Sequence, residues 1–406
     1  MTSHSKIQDI EVLRGVAVLA VLVHHMRENL FTWASAPLEP SGLSLQLWWG
    51  VDLFFVISGF VITRSLLPAL RAAHDQQRFW GTSVRFWIRR AWRLLPTAWL
   101  WLVIAVLLAA GFNQSGAFGD VQTNIQAGLA GFLHYANVRF ATSFLNYDYG
   151  VSFVYWSLAL EEQFYVLFPL LVFVTRRWLA AAMVVVVLVQ APLDRTIWHV
   201  VFRSDALALG ILIALWQQHR ETSATLQATQ RVPVALRPWL FAGLLVLMWL
   251  AANANLTGRQ IQFTLVAWIA AILVVLAAQD KSLLLGPGPL KRLMCWLGSR
   301  SYGMYVIHIP AYLLTREIWY RLTPEGTNFG QEWTLPFLLT ALVLLVCLSE
   351  LNYRLVETPL RNKGRRMTTG TYAGEPAATA AGPGPIALNM TMAEVAQESS
   401  ITTRNN

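Results

Sequence analysis

The stretch WLWLVIAVLLAAGF, residues 99–112, decides the fold class because it contains no charged side chain. A second run, WLAAAMVVVVLVQA at residues 178–191, has the same character. Apolar runs that approach the ~20 residues needed to cross a bilayer are typical of membrane-spanning helices. The whole chain of 406 residues agrees, since 55% of it is hydrophobic, 13% is charged and its mean hydropathy is +0.46. The sequence therefore predicts an all-α polytopic membrane protein in a lipid bilayer.

The cations lie between the apolar runs, mostly in alternate connections. A net charge of +9 would suit a nucleic-acid partner, but Arg and Lys concentrate within residues 64–93, 176–177, 220–237, 281–300 and 354–366. This alternation follows the positive-inside rule for cytoplasmic loops, and it argues against binding to nucleic acid. Cys295 and Cys347 sit in or beside predicted cytoplasmic ends or spans, so we expect no disulfide.

The apolar runs predict about ten transmembrane helices. They lie near residues 10–30, 46–67, 94–112, 157–175, 178–192, 203–216, 239–254, 261–279, 301–320 and 335–353. An even number of spans with basic odd connections places both termini in the cytoplasm. We expect the long polar and aromatic segment 113–155 to face the outer side, with a re-entrant or amphipathic helix in its middle. The membrane domain would cover residues 1–363, and residues 364–406, rich in Ala, Gly, Pro and Thr, would form a disordered cytoplasmic tail.

The first predicted span contains ionisable residues that a lipid-facing helix would avoid. At 100° per residue, Arg14 and His25 lie ~20° apart on the helix surface and roughly 16 Å apart along its axis, whereas His24 points ~80° away. Ionisable groups inside a membrane are costly and usually functional, so Arg14 and His25 are candidate catalytic residues. The alternative is that Arg14 extends to the lipid headgroups and His25 lies at the membrane interface.

A group of arginines follows the second span, in RFWIRRAWRLLP at residues 85–96. Arg85, Arg89 and Arg93 share one helix face, and Arg90 lies beside them. Guanidinium groups arranged in this way suit a ligand with several phosphates, such as coenzyme A. A basic belt against anionic headgroups is an equally good interpretation.

Three further segments carry polar residues at or near membrane spans. Glu161 and Glu162 begin the span in WSLALEEQFY. A carboxylate at this place can pair with an arginine or transfer a proton. The alternative is that two acids in the first turn of a helix are favourable through their electrostatics alone. In SYGMYVIHIPAYLL, residues 301–314, the residues at positions 301, 305, 308 and 312 form one polar stripe that should point into the bundle. Glu357 lies between two arginines at positions 354 and 361, which favours a structural ion pair. The chain has no Gly-rich nucleotide loop, no G-x-S-x-G elbow, and no Cys/His spacing for a metal.

Seven segments, in this order, resemble the acyltransferase-3 family of bacterial membrane O-acyltransferases. They are EVLRGVAVLAVLVHH, GVDLFFVISGFVIT, RRAWRLLP, WSLALEEQFY, FRSDALALG, SYGMYVIHIP and VETPLR, and together they span about residues 10–361. The resemblance implies a ten-helix enzyme of the bacterial inner membrane. Such an enzyme takes an acyl group, usually acetyl, from cytoplasmic acyl-CoA and delivers it to a carbohydrate hydroxyl. No bound cofactor is implied, since acetyl-CoA is a substrate.

The resemblance also assigns roles to individual residues. The first-helix Arg and His of the family fall on Arg14 and His25, and its glutamate falls on Glu161. The R-R-x-x-R arginines fall on the donor-binding candidates, which are Arg89, Arg90 and Arg93. Candidates for the surrounding pocket are Glu11, Ser58, Trp156, Tyr305, His308 and Glu357. Many members carry Asp where Glu11 stands.

Two other functions remain compatible with the sequence. The acceptor implied by the resemblance is a lipid-linked or surface polysaccharide, such as O-antigen or exopolysaccharide, but the same fold would serve acylation of a small-molecule sugar. A glycan or anion transporter would also place buried charges along a pathway. The sequence shows no paired broken helices in corresponding halves, which argues mildly against transport.

Overall fold

The computed structural model describes residues 7–34, 45–73, 75–193, 196–219, 233–253, 261–280 and 282–369, and within these ranges the regular secondary structure is helical. The α-helices are α1 Gln8–Asn29, α2 Gly50–Arg71, α3 Gln76–Gly111, α4 Val121–Phe132, α5 Ala136–Ser143, α6 Tyr155–Thr175, α7 Leu179–Gln190, α8 Ile197–Val201, α9 Asp205–His219, α10 Arg237–Ala251, α11 Gln262–Ala277, α12 Pro289–Leu322, α13 Thr334–Asn352 and α14 Thr358–Thr369. A π-helical turn, Tyr353–Glu357, joins the last two. The all-α prediction is confirmed.

A helix occupies each of the ten predicted spans, namely α1, α2, α3, α6, α7 and α9 to α13. In the part of the chain that the structure describes, five helical segments are long and apolar enough to cross a membrane: Gly50–Arg71, Gln76–Gly111, Tyr155–Gln190, Ile197–Gln218 and Gln331–Thr368. Two shorter apolar helices are Arg237–Ala251 and Gln262–Ala277. The number of about ten crossings and the cytoplasmic position of both termini stay predictions.

Among the described helices, two pairs approach each other closely through a glycine on each partner. A Cβ atom on Gly15 of α1 would lie 2.3 Å from the carbonyl oxygen of Met294 in α12, and one on Gly298 would lie 2.0 Å from that of Glu11. Gly59 of α2 and Gly210 of α9 approach the opposite backbone in the same way, at 2.2 Å each. Small residues allow such contact between membrane helices, where packing rather than the hydrophobic effect holds helices together. The α1–α12 contact sets the relative position of the two helices that carry the predicted histidines.

The predicted polar stripe of α12 does point into the bundle. Its members Ser301, Tyr305, His308 and Tyr312 have exposures between 0% and 5%. The Tyr312 hydroxyl donates a hydrogen bond of 3.0 Å to the carbonyl oxygen of Leu22 in α1. The stripe therefore faces α1 along part of its length.

The predicted outer segment 113–155 contains two short helices, α4 and α5, and is attached to the end of α12 by Glu317. This carboxylate has no exposed surface, and it accepts hydrogen bonds of 2.8 Å from the backbone N–H groups of Gln114 and Ser115. Arg321 also donates to it, at 2.7 Å. The start of the segment is thus held by charge-assisted hydrogen bonds, which are stronger than neutral ones.

The last helix, α14, continues to Thr369, so the helical part extends beyond the predicted domain boundary at residue 363. Residues 370–406 of the predicted tail lie outside the described residues. Cys295 and Cys347 are both free, as predicted.

Candidate active site

A partly open cavity of about 80 Å³ lies among α1, α2, α3, α6 and α12. Six of the residues predicted from sequence line it: Arg14, Ser58, Arg90, Arg93, Glu161 and Tyr305. The remaining lining includes apolar side chains of α2 and further hydroxyl groups from α6 and α12. Five segments far apart in the chain therefore bring the predicted charged residues to one place.

The charge of the cavity is dominated by arginines. Arg14 lies 3.7 Å from Glu11, which balances part of its charge, and the Arg90 guanidinium lies 4.8 Å from the centre of the Tyr165 ring. Arg93 is within electrostatic reach of both Arg14 and Arg90. Because like charges repel each other, a cluster of this kind favours an anionic ligand that neutralises it.

Glu161 provides the negative group of the cavity wall. It accepts hydrogen bonds from the hydroxyl groups of Ser58 and Tyr165. Tyr165 stands one turn further along α6 and Ser58 comes from α2, so two elements fix the carboxylate. The sequence suggested that this carboxylate pairs with an arginine or transfers a proton. In the described parts of the chain, the hydrogen-bond partners of Glu161 are these two hydroxyl groups.

His25 and His308 are not part of the cavity lining; they meet one turn beyond Tyr305, which does line it. Nδ1 of His25 lies 3.0 Å from Nε2 of His308, and Nδ1 of His308 donates a 2.6 Å hydrogen bond to the carbonyl oxygen of Tyr305. His308 has no exposed surface, whereas His25 is partly exposed. His24 contacts the His25 ring, with 5.2 Å between ring centres. The histidine that shares a helix face with Arg14 is therefore the one that reaches α12.

Tyr305 connects the cavity to the histidine pair. It lines the cavity, its hydroxyl lies 2.6 Å from that of Ser157, and its backbone carbonyl holds His308. Ser301, one turn earlier on α12, also lines the cavity. Its buried hydroxyl has no hydrogen-bond partner within the described ranges, so it is available to a bound ligand.

The structure does not bring all predicted residues to the cavity. Arg89 lies within electrostatic reach of Arg85 and Arg365 rather than on the cavity wall. Trp156 packs against Arg203, whose guanidinium is 5.4 Å from its ring centre.

Glu357 forms one of the two ion pairs that its sequence position allows. It pairs with Arg361 at 3.5 Å, while Arg354 pairs with Glu350 at 2.5 Å. The predicted structural ion pair is thus present on one side of Glu357, outside the cavity lining.

A buried ion pair between α2 and the start of α9 was missed from the sequence. Nη2 of Arg203 lies 2.7 Å from Asp52, with both side chains at most 3% exposed. Aromatic rings surround the guanidinium, including Trp48 and Phe263. An isolated Asp within the apolar run GVDLFFVISGF was the available signal, because intramembrane acids usually have a partner. Elsewhere in the described ranges, no group of three or more His, Cys, Asp or Glu side chains suits a metal ion.

The chain belongs to the acyltransferase-3 family, whose profile, described as an acyltransferase domain, matches residues 7–349. It is 28% identical over 401 residues to the putative peptidoglycan O-acetyltransferase YrhL of Bacillus subtilis, covering 89% of this chain and 56% of that protein. It is 26% identical over 392 residues to the peptidoglycan O-acetyltransferase OatA of Listeria monocytogenes, covering 89% and 57%. The O-acetyltransferase OatA of Staphylococcus aureus is 25% identical over 393 residues, covering 90% and 58%. The chain thus spans a little over half the length of these relatives. No solved structure matches it.

Proposed function

We propose that this protein is a membrane O-acyltransferase that moves an acyl group, preferably acetyl, from cytoplasmic acyl-CoA to a hydroxyl of a surface glycan. The observation that carries the proposal is the cavity shared by Arg14, Arg90, Arg93 and Glu161, next to the His25–His308 contact. Transfer of an acyl group from an anionic thioester donor requires two components, an anion-binding cavity and a basic imidazole.

The arginines support the donor assignment in two places. Arg90 and Arg93 would attract the anionic donor into the cavity, and the unpartnered Ser301 hydroxyl would hydrogen-bond to it. A cavity of about 80 Å³ is too small for the nucleotide of acyl-CoA, so it would receive the acyl end of the donor. The basic group around Arg89 and Arg365 would then hold nucleotide phosphates through paired donors.

The chemistry assigned to His25 is general-base catalysis. The imidazole takes the proton of the acceptor hydroxyl as its oxygen attacks the thioester carbonyl. The carbon–sulfur bond then breaks, and the coenzyme A thiolate leaves with a proton returned from the imidazolium. Arg14, which lies about 16 Å from His25 along α1 and next to Glu11, would orient the donor within the cavity. An acyl group carried on His25 is the competing route, and isolation of an acyl-enzyme after rapid quenching would identify it.

The relatives' names support a cell-surface glycan as acceptor, because two of them are called peptidoglycan O-acetyltransferases. We therefore place peptidoglycan beside the O-antigen and exopolysaccharide suggested by the sequence. The segment 113–155, which contains α4 and α5, is the proposed acceptor face, and the cytoplasmic membrane is the proposed location.

The test compares His25→Ala with His24→Ala in membrane vesicles supplied with acetyl-CoA. Free coenzyme A thiol and glycan-bound acetyl esters are measured. We expect His25→Ala to lose roughly 10²–10⁴-fold in turnover, the usual contribution of a general base, and His24→Ala to stay within a few-fold of the parent protein. Full activity of His25→Ala would overturn the assignment.

The donor role of the arginines is tested separately. Arg93→Gln should raise the KM for acetyl-CoA, because it removes a cation from the cavity while keeping a polar side chain. A KM unchanged from that of the parent protein would contradict the role in donor binding.

A further inference from the structure

We infer that His308 is a positioning residue that holds His25 in the tautomer protonated at Nδ1, with the lone pair at Nε2. The inference deepens the proposed function, since a base is useful only if its lone pair is on the nitrogen that faces the acceptor. It rests on the hydrogen-bond chain from the Tyr305 carbonyl through His308 to His25.

The direction of this chain follows from its first member. A carbonyl oxygen accepts hydrogen bonds and cannot donate one, so Nδ1 of His308 carries the hydrogen in the 2.6 Å contact with Tyr305. A neutral imidazole has one N–H group, which leaves Nε2 of His308 as an acceptor. At 3.0 Å from it, Nδ1 of His25 must be the donor. Nε2 of His25 therefore holds the lone pair.

The neutral form of His308 is favoured by its surroundings. The ring has no exposed surface, and its ring neighbours are Tyr305, Tyr312 and His25. A charged imidazole among aromatic rings would lose its hydration with no carboxylate to compensate for the loss. Within the described ranges, no acid forms an ion pair with His308.

The position of His308 relative to His25 is held by contacts on both sides of the pair. The Tyr312 hydroxyl binds the Leu22 carbonyl at 3.0 Å, just before His25 in α1. Phe153 packs edge-on against the His25 ring, with 5.4 Å between ring centres. His25 also has a hydrogen-bonding contact with the backbone carbonyl of Val21. His308 is its side-chain hydrogen-bond partner in the described ranges, and the tautomer that His308 favours decides which nitrogen is basic. When His25 accepts a proton at Nε2, its Nδ1–H group still donates to the neutral Nε2 atom of His308.

Two amide substitutions at position 308 separate tautomer control from packing. In His308→Gln the amide oxygen reaches the place of Nε2 and can accept from His25. In His308→Asn the amide reaches only the place of Nδ1, so the contact with Tyr305 survives and that with His25 is lost. Both variants remove the ring and retain a polar amide, so each controls for the loss of packing in the other.

The direct readout is ¹⁵N NMR of the full-length protein labelled with ¹⁵N-histidine, with His25→Gln used to assign the His25 signal. We expect the Nδ1-protonated form of His25 in the parent protein and in His308→Gln, and a mixture of tautomers in His308→Asn. A parent signal from the Nε2-protonated form, or no change in His308→Asn, would overturn the inference. This measurement needs no substrate, so it is independent of whether the proposed transferase activity exists.

The kinetic readout is turnover of acetyl-CoA by the same variants. We expect His308→Asn to lower kcat by roughly 10²-fold or more, since a wrong tautomer places a hydrogen where the base must accept one, with KM for acetyl-CoA within about twofold of the parent value. His308→Gln should retain kcat within about tenfold of the parent value. Equal losses in both variants would indicate a purely structural role. Absence of acetyl-CoA turnover in the parent protein, with the expected NMR result, would refute the proposed function alone.

Discussion

Replacement of Gly298 by alanine should disable the protein from a distance by separating α1 and α12. The new Cβ atom would lie 2.0 Å from the carbonyl oxygen of Glu11 and 2.8 Å from its carbon. Both are rigid backbone atoms, so no side-chain rotation can relieve the overlap. Ordinary contact requires a separation larger by about 1.4 Å, and closely packed interiors transmit such a displacement. Overpacking of this kind costs about 1–3 kcal/mol of stability.

The displacement acts on the site because α1 carries Arg14 and His25. Moving His25 by more than 1 Å away from α12 would lengthen its 3.0 Å contact with His308 beyond hydrogen-bonding distance. Displacement of a catalytic group by about 1 Å from its reacting position reduces turnover by about 10²-fold. We therefore expect Gly298→Ala to retain the membrane protein fold but to lose about that factor in acetyl transfer.

The assay measures coenzyme A release in vesicles at matched protein levels, together with the thermal unfolding midpoint in detergent. Gly243→Ala is the matched control, because it makes the same change within helix α10, where the new Cβ atom meets nothing within 4 Å. We expect the control to keep parental activity. Gly298→Ala activity within about twofold of the parent value would refute the argument that this contact sets the His25 position.

Three further predictions concern contacts outside the cavity. Arg203→Ala should destabilise the protein by about 3–5 kcal/mol, because it removes the buried cation beside Asp52. In a double-mutant cycle measured by thermal unfolding, adding Asp52→Asn should recover part of the lost stability. Strictly additive effects of the two substitutions would contradict the prediction. Glu317→Gln should speed hydrogen exchange of the backbone amides of residues 114–115 by about tenfold or more, since each hydrogen bond to a charged group contributes about 1.5–3 kcal/mol. Unchanged exchange rates would contradict the role of Glu317 in holding this segment. The hydrogen bond to Glu162 raises the pKa of His134, so it should stabilise the fold below about pH 6.5 and stop doing so as pH rises through the folded-state pKa. In that pH range the thermal unfolding midpoint of the parent protein should fall more steeply than that of His134→Gln. Parallel profiles of the two proteins would contradict this prediction.

The sequence was most informative where a property depends on one helix at a time. The apolar runs predicted where ten of the described helices lie, because burial or lipid contact along a helix requires a continuous apolar stretch. Helical periodicity also selected His25 over His24 as the residue on the same face as Arg14, and it predicted the buried stripe of α12 that contains His308. These conclusions need only local backbone geometry.

The partners of these residues were decided by tertiary structure. Nothing in the spacing of residues indicates that His25 meets His308, or that Glu161 is held by hydroxyl groups of Ser58 and Tyr165. The same limit applies to Arg89, which shares a motif with Arg90 and Arg93 but lies away from the cavity. Adjacent residues on a helix point about 100° apart, and only the neighbouring helices determine which direction is the interior.

The physical reason is the way in which membrane helices associate. Each helix satisfies its own backbone hydrogen bonds, so its formation says little about its neighbours. The neighbours are chosen by close packing, here through Gly15 and Gly298 on one pair and Gly59 and Gly210 on the other. Sequence by itself therefore determined the helices, the family resemblance and the face of α1 that carries Arg14 and His25. Only the packed bundle decided that a second histidine supports His25 and that the arginines of α1 and α3 share one cavity.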